Sequence, residues 1–353
     1  MHPLQKNIEA FVKLGEFLGQ FREIQHSKKE GILHNELFYE GFRHQLKLAE
    51  ESNGWFTKEN LAFALDQWSL ALTKENLLQW LSDYRVQPAS SRKVAVIMAG
   101  NIPLVGFHDF MSVLLCGHSV IVKQSSNDRH LLPYLAKYLQ YAEPSLKSRI
   151  TFTEDKLEAF DAVIATGSDN TSRYFEYYFG KKPNIIRRNR NSVAVLTGKE
   201  TDAQLAALGE DIFRYFGLGC RNVSKLFVPE NYDFDRFFGA VYPFRDIIEI
   251  PKYANNYDYN KAVYLMSLYK LRENGFLMLK EDESYASPIA TLFYETYKSA
   301  DGLREKLTKD SEKIQCIVAS DFTPGEVAFG KTQKPELWDY ADGVNTVEFL
   351  LRI

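Results

Sequence analysis

The stretch KVAVIMAGN, residues 93–101, sets the fold class of this chain of 353 residues. It is an apolar, β-branched run that ends in a Gly-Asn pair. Three similar short runs follow it: Ser119–Lys123, Asp161–Thr166 and Ser192–Leu196. Helix-like segments follow the first three of these four runs, among them Leu131–Tyr141 and Asn170–Phe179. Apolar strands that alternate with helices predict an α/β fold with a parallel sheet covered on both faces.

The chain beyond residue 197 predicts a second α/β unit. A helix is predicted first and a strand next, at Asp202–Phe216 and Lys225–Val228. A strand, a helix and a strand then follow: Ile289–Tyr294, Ala300–Leu307 and Ile314–Ala319. No low-complexity linker separates the two halves, so we expect a short crossing between them near residues 190–200.

The first 85 or so residues predict helices instead of strands. Apolar residues recur there with a period near 3.6. The string Thr-Lys-Glu-Asn-Leu occurs at Thr57–Leu61 and again at Thr73–Leu77. A threonine followed by a glutamate in the first turn is a helix-start signal, so Thr57 and Thr73 are predicted N-caps.

Composition excludes several classes of protein. The chain has 43 basic and 46 acidic residues, a net charge of −3, which gives no strong field toward nucleic acid or an anionic membrane. Three cysteines with no CxxC pair argue against a disulfide framework and a structural zinc site.

The longest apolar stretch, Val94–Val122, carries Asn101, Pro103, His108 and Asp109, which do not suit a bilayer span. Lysines and glutamates mixed into the N-terminus do not fit a signal peptide, so we expect a cytoplasmic protein.

The three cysteines have different surroundings. Cys116 ends a hydrophobic helix pattern and Cys316 lies in a buried-strand pattern, so both are predicted to be core residues. Cys220 follows a glycine-rich turn and precedes Arg221, which would favour the thiolate. From its surroundings alone, Cys220 is either a nucleophile or a structural residue of the turn.

Polar residues follow three strands of the predicted sheet, where open sheets of this kind bind ligands. Asn101 follows the first strand, and the pattern by itself favours an ordinary turn over a hydrogen-bond donor. Lys123 and Ser126 end the second, where they suit either a phosphorylated ribose or a solvated strand end. Ile164–Asn170 offers backbone N–H groups to a pyrophosphate or merely caps a helix.

The order and spacing of these segments resemble the aldehyde dehydrogenase superfamily, and within it the LuxC-type acyl-CoA (fatty acid) reductases. The likeness runs from about residue 90 to the C-terminus. It implies two α/β domains with parallel sheets and a helical N-terminal segment. The expected division is 1–90 for that segment, 91–195 for the dinucleotide-binding domain, 196–325 for the catalytic domain and 326–353 for a C-terminal tail.

The resemblance also implies roles for single residues. Gly100-Asn-Ile-Pro-Leu resembles the loop whose asparagine, here Asn101, donates to the oxyanion. Phe216-Gly-Leu-Gly-Cys resembles the nucleophile segment, which makes Cys220 the catalytic thiol. The remaining matches imply contacts with a dinucleotide cofactor, through Lys123, Ser126, Thr166, Gly167, Ser168 and Glu283. The Glu283 motif carries one extra residue before Pro288. With no acidic side chain at Ser126 to repel a 2′-phosphate, the expected cofactor is NADP(H).

One departure from the superfamily concerns water activation. Hydrolytic aldehyde dehydrogenases carry a glutamate that activates water, and the matching stretch here is Arg187-Arg-Asn-Arg. An acyl reductase needs no such base. The three arginines suit either the phosphates of CoA or a surface charge cluster. The run Gln333–Thr346 is typical of the LuxC-type branch, without a chemical role that the sequence assigns.

The expected activity is reduction of an acyl thioester, either acyl-CoA or acyl-protein, to an aldehyde through an acyl-cysteine. An acyltransferase partner and a homo-oligomer are further expectations from the resemblance. Two alternatives remain open: another acylating reductase that uses a short acyl-CoA or an acyl phosphate, and a non-catalytic dinucleotide-binding assembly protein. Cofactor affinity without aldehyde production would identify the second alternative.

Overall fold

The structure is a computed structural model that describes residues 2–86, 91–167 and 169–353. The chain forms two compact units. The first comprises Met1–Arg188 together with Glu336–Ile353, and the second comprises Asn189–Pro335.

A five-stranded parallel sheet forms the centre of the first unit, in the order β3-β2-β1-β4-β5. Its strands are β1 (Lys93–Ile97), β2 (Ser119–Lys123), β3 (Ile150–Phe152), β4 (Ala162–Thr166) and β5 (Asn184–Arg187). Val94, Ala95 and Val96 are all buried, so successive side chains are covered on both faces of β1. This confirms the parallel sheet that the apolar runs predicted.

In the described part of the first unit, seven helices precede or alternate with these strands. They are α1 (Pro3–Leu18), α2 (Asn35–Ser52), α3 (Lys58–Ala71), α4 (Lys74–Leu81), α5 (Phe107–Leu115), α6 (Leu131–Ala142) and α7 (Asp169–Phe179). Thr57 accepts a hydrogen bond from the N–H of Asn60, and Thr73 accepts one from the N–H of Asn76. Both predicted N-caps are therefore confirmed.

The N-terminal helices share one hydrophobic core with the sheet. Helix α1 packs on α3 and α6, and its Phe17 ring stacks on Tyr138 with centroids 4.6 Å apart. Phe11, Phe17 and Leu14 of the α1 face are completely buried. The helical segment is thus an integral part of the first unit.

The second unit contains a six-stranded sheet in the order β11-β6-β7-β10-β9-β8. Its strands are β6 (Asn191–Val195), β7 (Val223–Pro229), β8 (Leu271–Glu273), β9 (Met278–Glu281), β10 (Thr291–Tyr297) and β11 (Ile314–Val318). All pairings are parallel except that of β8 with β9. The expectation of a parallel sheet is therefore right for five strands and wrong for the short edge strand β8, which a tight turn connects to β9.

Four helices accompany this second sheet: α8 (Asp202–Phe213), α9 (Phe234–Val241), α10 (Pro251–Met266) and α11 (Ala300–Lys309). Helix α8 ends three residues before the predicted Phe216. Tyr215, Phe216 and Gly217 follow it with φ of 53°, 59° and 76°. This left-handed region is sterically unfavourable for residues with a Cβ and is incompatible with a right-handed helix. The apolar pattern therefore extends to Phe216, although the helix itself ends at Phe213.

The last residues of the chain return to the first unit. Helix α12 (Thr346–Arg352) packs on α5. Ahead of it, the Tyr340 hydroxyl accepts from Trp80 Nε1 at 2.7 Å and lies 3.0 Å from the Tyr84 hydroxyl. Part of the run Gln333–Thr346 therefore has a structural role, because Tyr340 is hydrogen-bonded to Trp80 of α4 and to the nearby Tyr84.

Among the described residues, none of the helices is both long enough and apolar enough to cross a membrane.

Candidate active site

The loop between β1 and α5 places Asn101 at the carboxyl edge of the first sheet. Its backbone approaches the loop after β2 closely: a Cβ at Gly100 would lie 2.7 Å from Ser125 Oγ. Glycine is needed here because any side chain would displace Ser125. Asn101 is half-buried, and Leu104 adopts φ of 58°, in the left-handed region.

Two buried residues that the sequence analysis did not select hold this loop. Asn53, just past α2, donates from Nδ2 to the carbonyls of Gly100 at 3.4 Å and Asn127 at 3.2 Å. Asp128 accepts the N–H of Leu104 at 2.9 Å through Oδ2. Burial raises the pKa of the Asp128 carboxyl to about 6, and the hydrogen bond from Leu104 opposes that rise.

The carboxyl ends of β1, β2 and β4 lie side by side, because Ile97 pairs with Lys123 on one side and with Ala165 on the other. Lys123 is half-buried and its Nζ donates to the Asp155 carbonyl at 2.9 Å, and Ser126 is exposed. Thr166 ends β4 and Gly167 follows it, half-buried, ahead of α7. The structure thus brings Asn101, Lys123, Ser126, Thr166 and Gly167 to one edge. Ser168, also predicted to contact the cofactor, lies outside the described residues.

The cluster of three arginines that begins with Arg187, the last residue of β5, does not form a single exposed surface. Arg187 is buried and forms a bidentate ion pair with Asp109 of α5. Its Nη1 donates to Asp109 Oδ2, and its Nη2 donates to Asp109 Oδ1 at 2.7 Å and to Thr346 Oγ1 at 3.3 Å. Arg188 is exposed and pairs with Glu176. Both interpretations of the cluster are therefore wrong for Arg187, which neither faces solvent nor offers its charge to a CoA phosphate.

Cys220 lies in the second unit, in an exposed turn directly ahead of β7. Its carbonyl accepts a hydrogen bond from Ser192 Oγ at 2.9 Å. Asn222, which is buried, accepts the N–H of Gly219 at 2.8 Å and donates to the carbonyls of Asp211 and Arg214 at 3.1 and 2.8 Å. One asparagine side chain therefore ties the cysteine turn to the end of α8, and the thiol is presented on a fixed backbone.

A second set of contacts braces the same turn. Arg221 donates from Nε to the Thr332 carbonyl at 2.6 Å. The fully buried Asp211 carboxylate accepts the N–H groups of Gly330 and Thr332 at 2.6 and 2.9 Å. Residues 330–332 thus join α8 to the residue after Cys220. Arg221 is predicted to favour the thiolate, and at least one of its N–H donors is used in the hydrogen bond to the Thr332 carbonyl.

Glu283 lies exposed in the connection between β9 and β10. Lys225, fully buried in β7, donates to the Glu283 carbonyl at 2.7 Å and pairs with Glu295 at 2.7 Å. Burial lowers the pKa of Lys225, and the ion pair with Glu295 opposes this. The neighbouring Ser224 Oγ donates to the Tyr285 carbonyl at 2.7 Å. The strand that follows Cys220 therefore anchors the segment that carries Glu283.

A small pocket lies within the second unit, beside residues on either side of the cysteine turn. Phe213, Phe216, Gly217, Ile289 and Ala290 are among the residues that line it. Tyr253, which is buried, also lines the pocket, and its hydroxyl donates to the Phe276 carbonyl at 3.0 Å. The lining also includes the hydroxyl-bearing residues Ser224, Ser287 and Thr291, so it mixes polar and apolar surface.

The other two cysteines are buried, as predicted. Burial raises the pKa of the Cys116 thiol to about 12, so it stays protonated at neutral pH. Cys316 has 6% of its surface exposed, in β11. Cys220 alone among the three presents its side chain to solvent.

Three solved structures similar to this chain are aldehyde dehydrogenases. KauB from Pseudomonas aeruginosa matches with a TM-score of 0.61 and 13% identity, over 90% of this chain and 72% of its own. Aldehyde dehydrogenase 21 from Physcomitrella patens, in complex with succinate, matches with 0.66 and 12%, over 100% and 84%. The NAD-dependent enzyme from Sinorhizobium meliloti matches with 0.64 and 13%, over 94% and 72%. At these identities the likeness shows the fold, which is that of aldehyde dehydrogenases.

Sequence comparison identifies the family. No curated protein matches the chain. The family model described as acyl-CoA reductase (LuxC) matches residues 17–238. The resemblance seen in the motifs starts only at about residue 90, whereas the family match also includes α2–α4. The N-terminal helices are therefore part of the family's likeness as well. Since the match spans more than half of the chain and includes the turns that carry Asn101 and Cys220, this protein belongs to the acyl-CoA reductase (LuxC) family of oxidoreductases.

Proposed function

We propose that this enzyme reduces an acyl thioester to an aldehyde, with NADPH as reductant and an acyl group carried on Cys220. The observation that carries the proposal is the exposed cysteine in a turn that Asn222 and Ser192 hold, in a chain of the acyl-CoA reductase family. The thioester donor is acyl-CoA or an acyl-protein. A cytoplasmic location, a homo-oligomer and an acyltransferase partner stay predictions.

In the acylation step, the Cys220 thiolate attacks the thioester carbon and a new S–C bond forms. Negative charge develops on the carbonyl oxygen, where the Asn101 amide and the Cys220 N–H donate hydrogen bonds. Collapse of this oxyanion breaks the bond to the donor's sulfur, which leaves as a thiolate. The product of the step is an acyl thioester on Cys220.

The residues at the edge of the first sheet fit a dinucleotide with a phosphorylated ribose. Lys123 supplies a cation and Ser126 an exposed hydroxyl, while the single carboxylate of residues 124–128, Asp128, is buried against Leu104. Thr166, Gly167, Ser168 and Glu283 complete the proposed set. When bound, the cofactor supplies a hydride to the acyl carbon. Asn101 stabilises the oxyanion of the reduced adduct, whose collapse gives the aldehyde and frees Cys220 as the thiolate.

The environment of Arg187 supports reduction over hydrolysis. The position that resembles the water-activating glutamate holds an arginine, which is buried on Asp109. A guanidinium does not act as a general base because its pKa lies far above neutrality. The acyl-enzyme therefore has no base from this position to activate water, and it persists until it is reduced.

The proposal predicts a cofactor preference. We expect kcat/KM with NADPH to exceed that with NADH by about 10-fold or more. A ratio of this size corresponds to the free energy of one charge-assisted hydrogen bond to the 2′-phosphate. Replacement Ser126→Asp should reverse the order, because a carboxylate repels the 2′-phosphate and accepts from a free 2′-hydroxyl. Steady-state kinetics with both cofactors make the comparison. A clear NADH preference in the unaltered enzyme contradicts the assignment.

Trapping the acyl-enzyme tests the covalent step directly. Incubation with labelled acyl-CoA and no NADPH should leave one label per chain on Cys220, located by peptide mass spectrometry, and later addition of NADPH should release it as aldehyde. Cys116 and Cys316 act as internal controls because both are buried. Absence of any adduct contradicts covalent catalysis.

The same experiment distinguishes the two alternative functions. Labelling by an acyl phosphate or only by short acyl-CoA identifies another acylating reductase, and cofactor binding without turnover identifies a binding protein.

A further inference from the structure

The loop that carries Asn101 is fastened at two ends by different groups. At its start, Gly100 packs against Ser125 and its carbonyl accepts from Asn53. At its far end, Leu104 is left-handed, and its N–H donates to Asp128 Oδ2 at 2.9 Å. Leucine avoids this conformation in the absence of an external constraint. The carboxylate of Asp128 is therefore a restraint on the backbone of this loop.

Asp128 is itself held in place by its own loop. Its N–H donates to the Ser125 carbonyl at 3.2 Å, and its carbonyl accepts from Gln124 Nε2 at 2.9 Å. The side chain is 8% exposed, and Oδ1 is buried with no hydrogen-bond partner among the described residues. Burying an incompletely paired carboxylate costs folding free energy. A buried polar atom that stays unpaired at such a cost calls for a specific reason, and the hold of the same carboxylate on Leu104 supplies one.

We propose that Asp128 is the positioning residue for Asn101: by holding Leu104 left-handed, its carboxylate fixes the loop so that the Asn101 amide points where the oxyanion forms. The inference rests on the proposed role of Asn101. Asp128 does not touch the substrate in this scheme and acts through the backbone of residues 101–104. A displacement of the donor by about 1 Å is enough to cost on the order of 100-fold in rate.

The test compares two substitutions of Asp128. In Asp128→Ala the N–H of Leu104 loses its acceptor, and we expect kcat to fall by about 10- to 100-fold with KM for acyl-CoA and NADPH within about twofold. In Asp128→Asn the amide oxygen still accepts that N–H, so kcat should stay within about threefold of the original. Thermal unfolding checks both variants. If the alanine variant does not fold, Asp128→Ser, whose hydroxyl is shorter and does not reach Leu104, replaces it.

A double-mutant cycle with Asn101→Ala separates this inference from the proposed function. In the Asn101→Ala background, Asp128→Ala should change kcat by less than about threefold, because the donor that it positions is gone. Equal effects of Asp128→Ala in both backgrounds, or equal losses in Asp128→Ala and Asp128→Asn, overturn the positioning role. If Asn101→Ala itself leaves kcat unchanged, the oxyanion role fails, which is a separate result.

Discussion

Replacement of Cys220 by alanine is expected to abolish both acylation and aldehyde production, with a fall in kcat of more than about 10⁴-fold. The expected loss is this large because, in the proposed mechanism, the whole reaction passes through one S–C bond. No other cysteine replaces it: burial raises the pKa of Cys116 to about 12, and Cys316 is buried in β11. Acylation is measured as bound label and reduction as aldehyde formed.

The matched controls are Cys116→Ala and Cys316→Ala, which remove a thiol from the core and leave the cysteine turn intact. Both should retain acylation and reduction, with at most a modest loss of thermal stability. Cys220 is exposed, so its own replacement should leave the unfolding temperature almost unchanged. Equal losses of activity in all three variants would overturn the assignment of Cys220.

The sheets could be predicted because their strands are apolar on both faces and their helices keep a clear period. Four of the described strands escaped prediction, namely β3, β5, β8 and β9, and all four have only three or four residues. β3 has only three residues, and β8, Leu271–Glu273, is a polar strand at the edge of its sheet. The end of α8 also escaped prediction, since Tyr215 and Phe216 are apolar and continue the helical pattern while their backbone is left-handed.

The supporting residues of the site could not be predicted, because their partners are distant in the sequence. Arg187 meets Asp109, 78 positions earlier, and Tyr340 meets Trp80, 260 positions earlier. Asn53 and Asp128 have ordinary local surroundings, with no pattern that marks them. Only the folded chain shows that they converge on the loop of Asn101. Motif resemblance selects the residues that are proposed to touch the substrate, whereas long-range contacts select those that hold them in place.

Replacement of Asn101 by alanine is the second large effect, an expected fall in kcat of about 100- to 1000-fold, or roughly 3 to 4 kcal/mol of transition-state stabilisation for one oxyanion donor. The fall should appear in kcat with little change in KM, because the donor acts mainly on charge that develops during the reaction. Presteady-state measurement should show the loss already in the acylation step, since the first oxyanion forms there.

Asn127→Ala is the matched control for this prediction. Asn127 lies in the adjoining loop, and the Asn53 amide binds its backbone carbonyl, which the substitution keeps. Its side chain is exposed, so activity should stay within about twofold of the original. A second variant, Asn101→Asp, keeps the size of the side chain but removes the donor and adds a negative charge next to the oxyanion. Its kcat should therefore be no higher than that of Asn101→Ala. If Asn101→Asp retains more activity than Asn101→Ala, the side chain acts by filling space and the hydrogen bond to the oxyanion is excluded as its role.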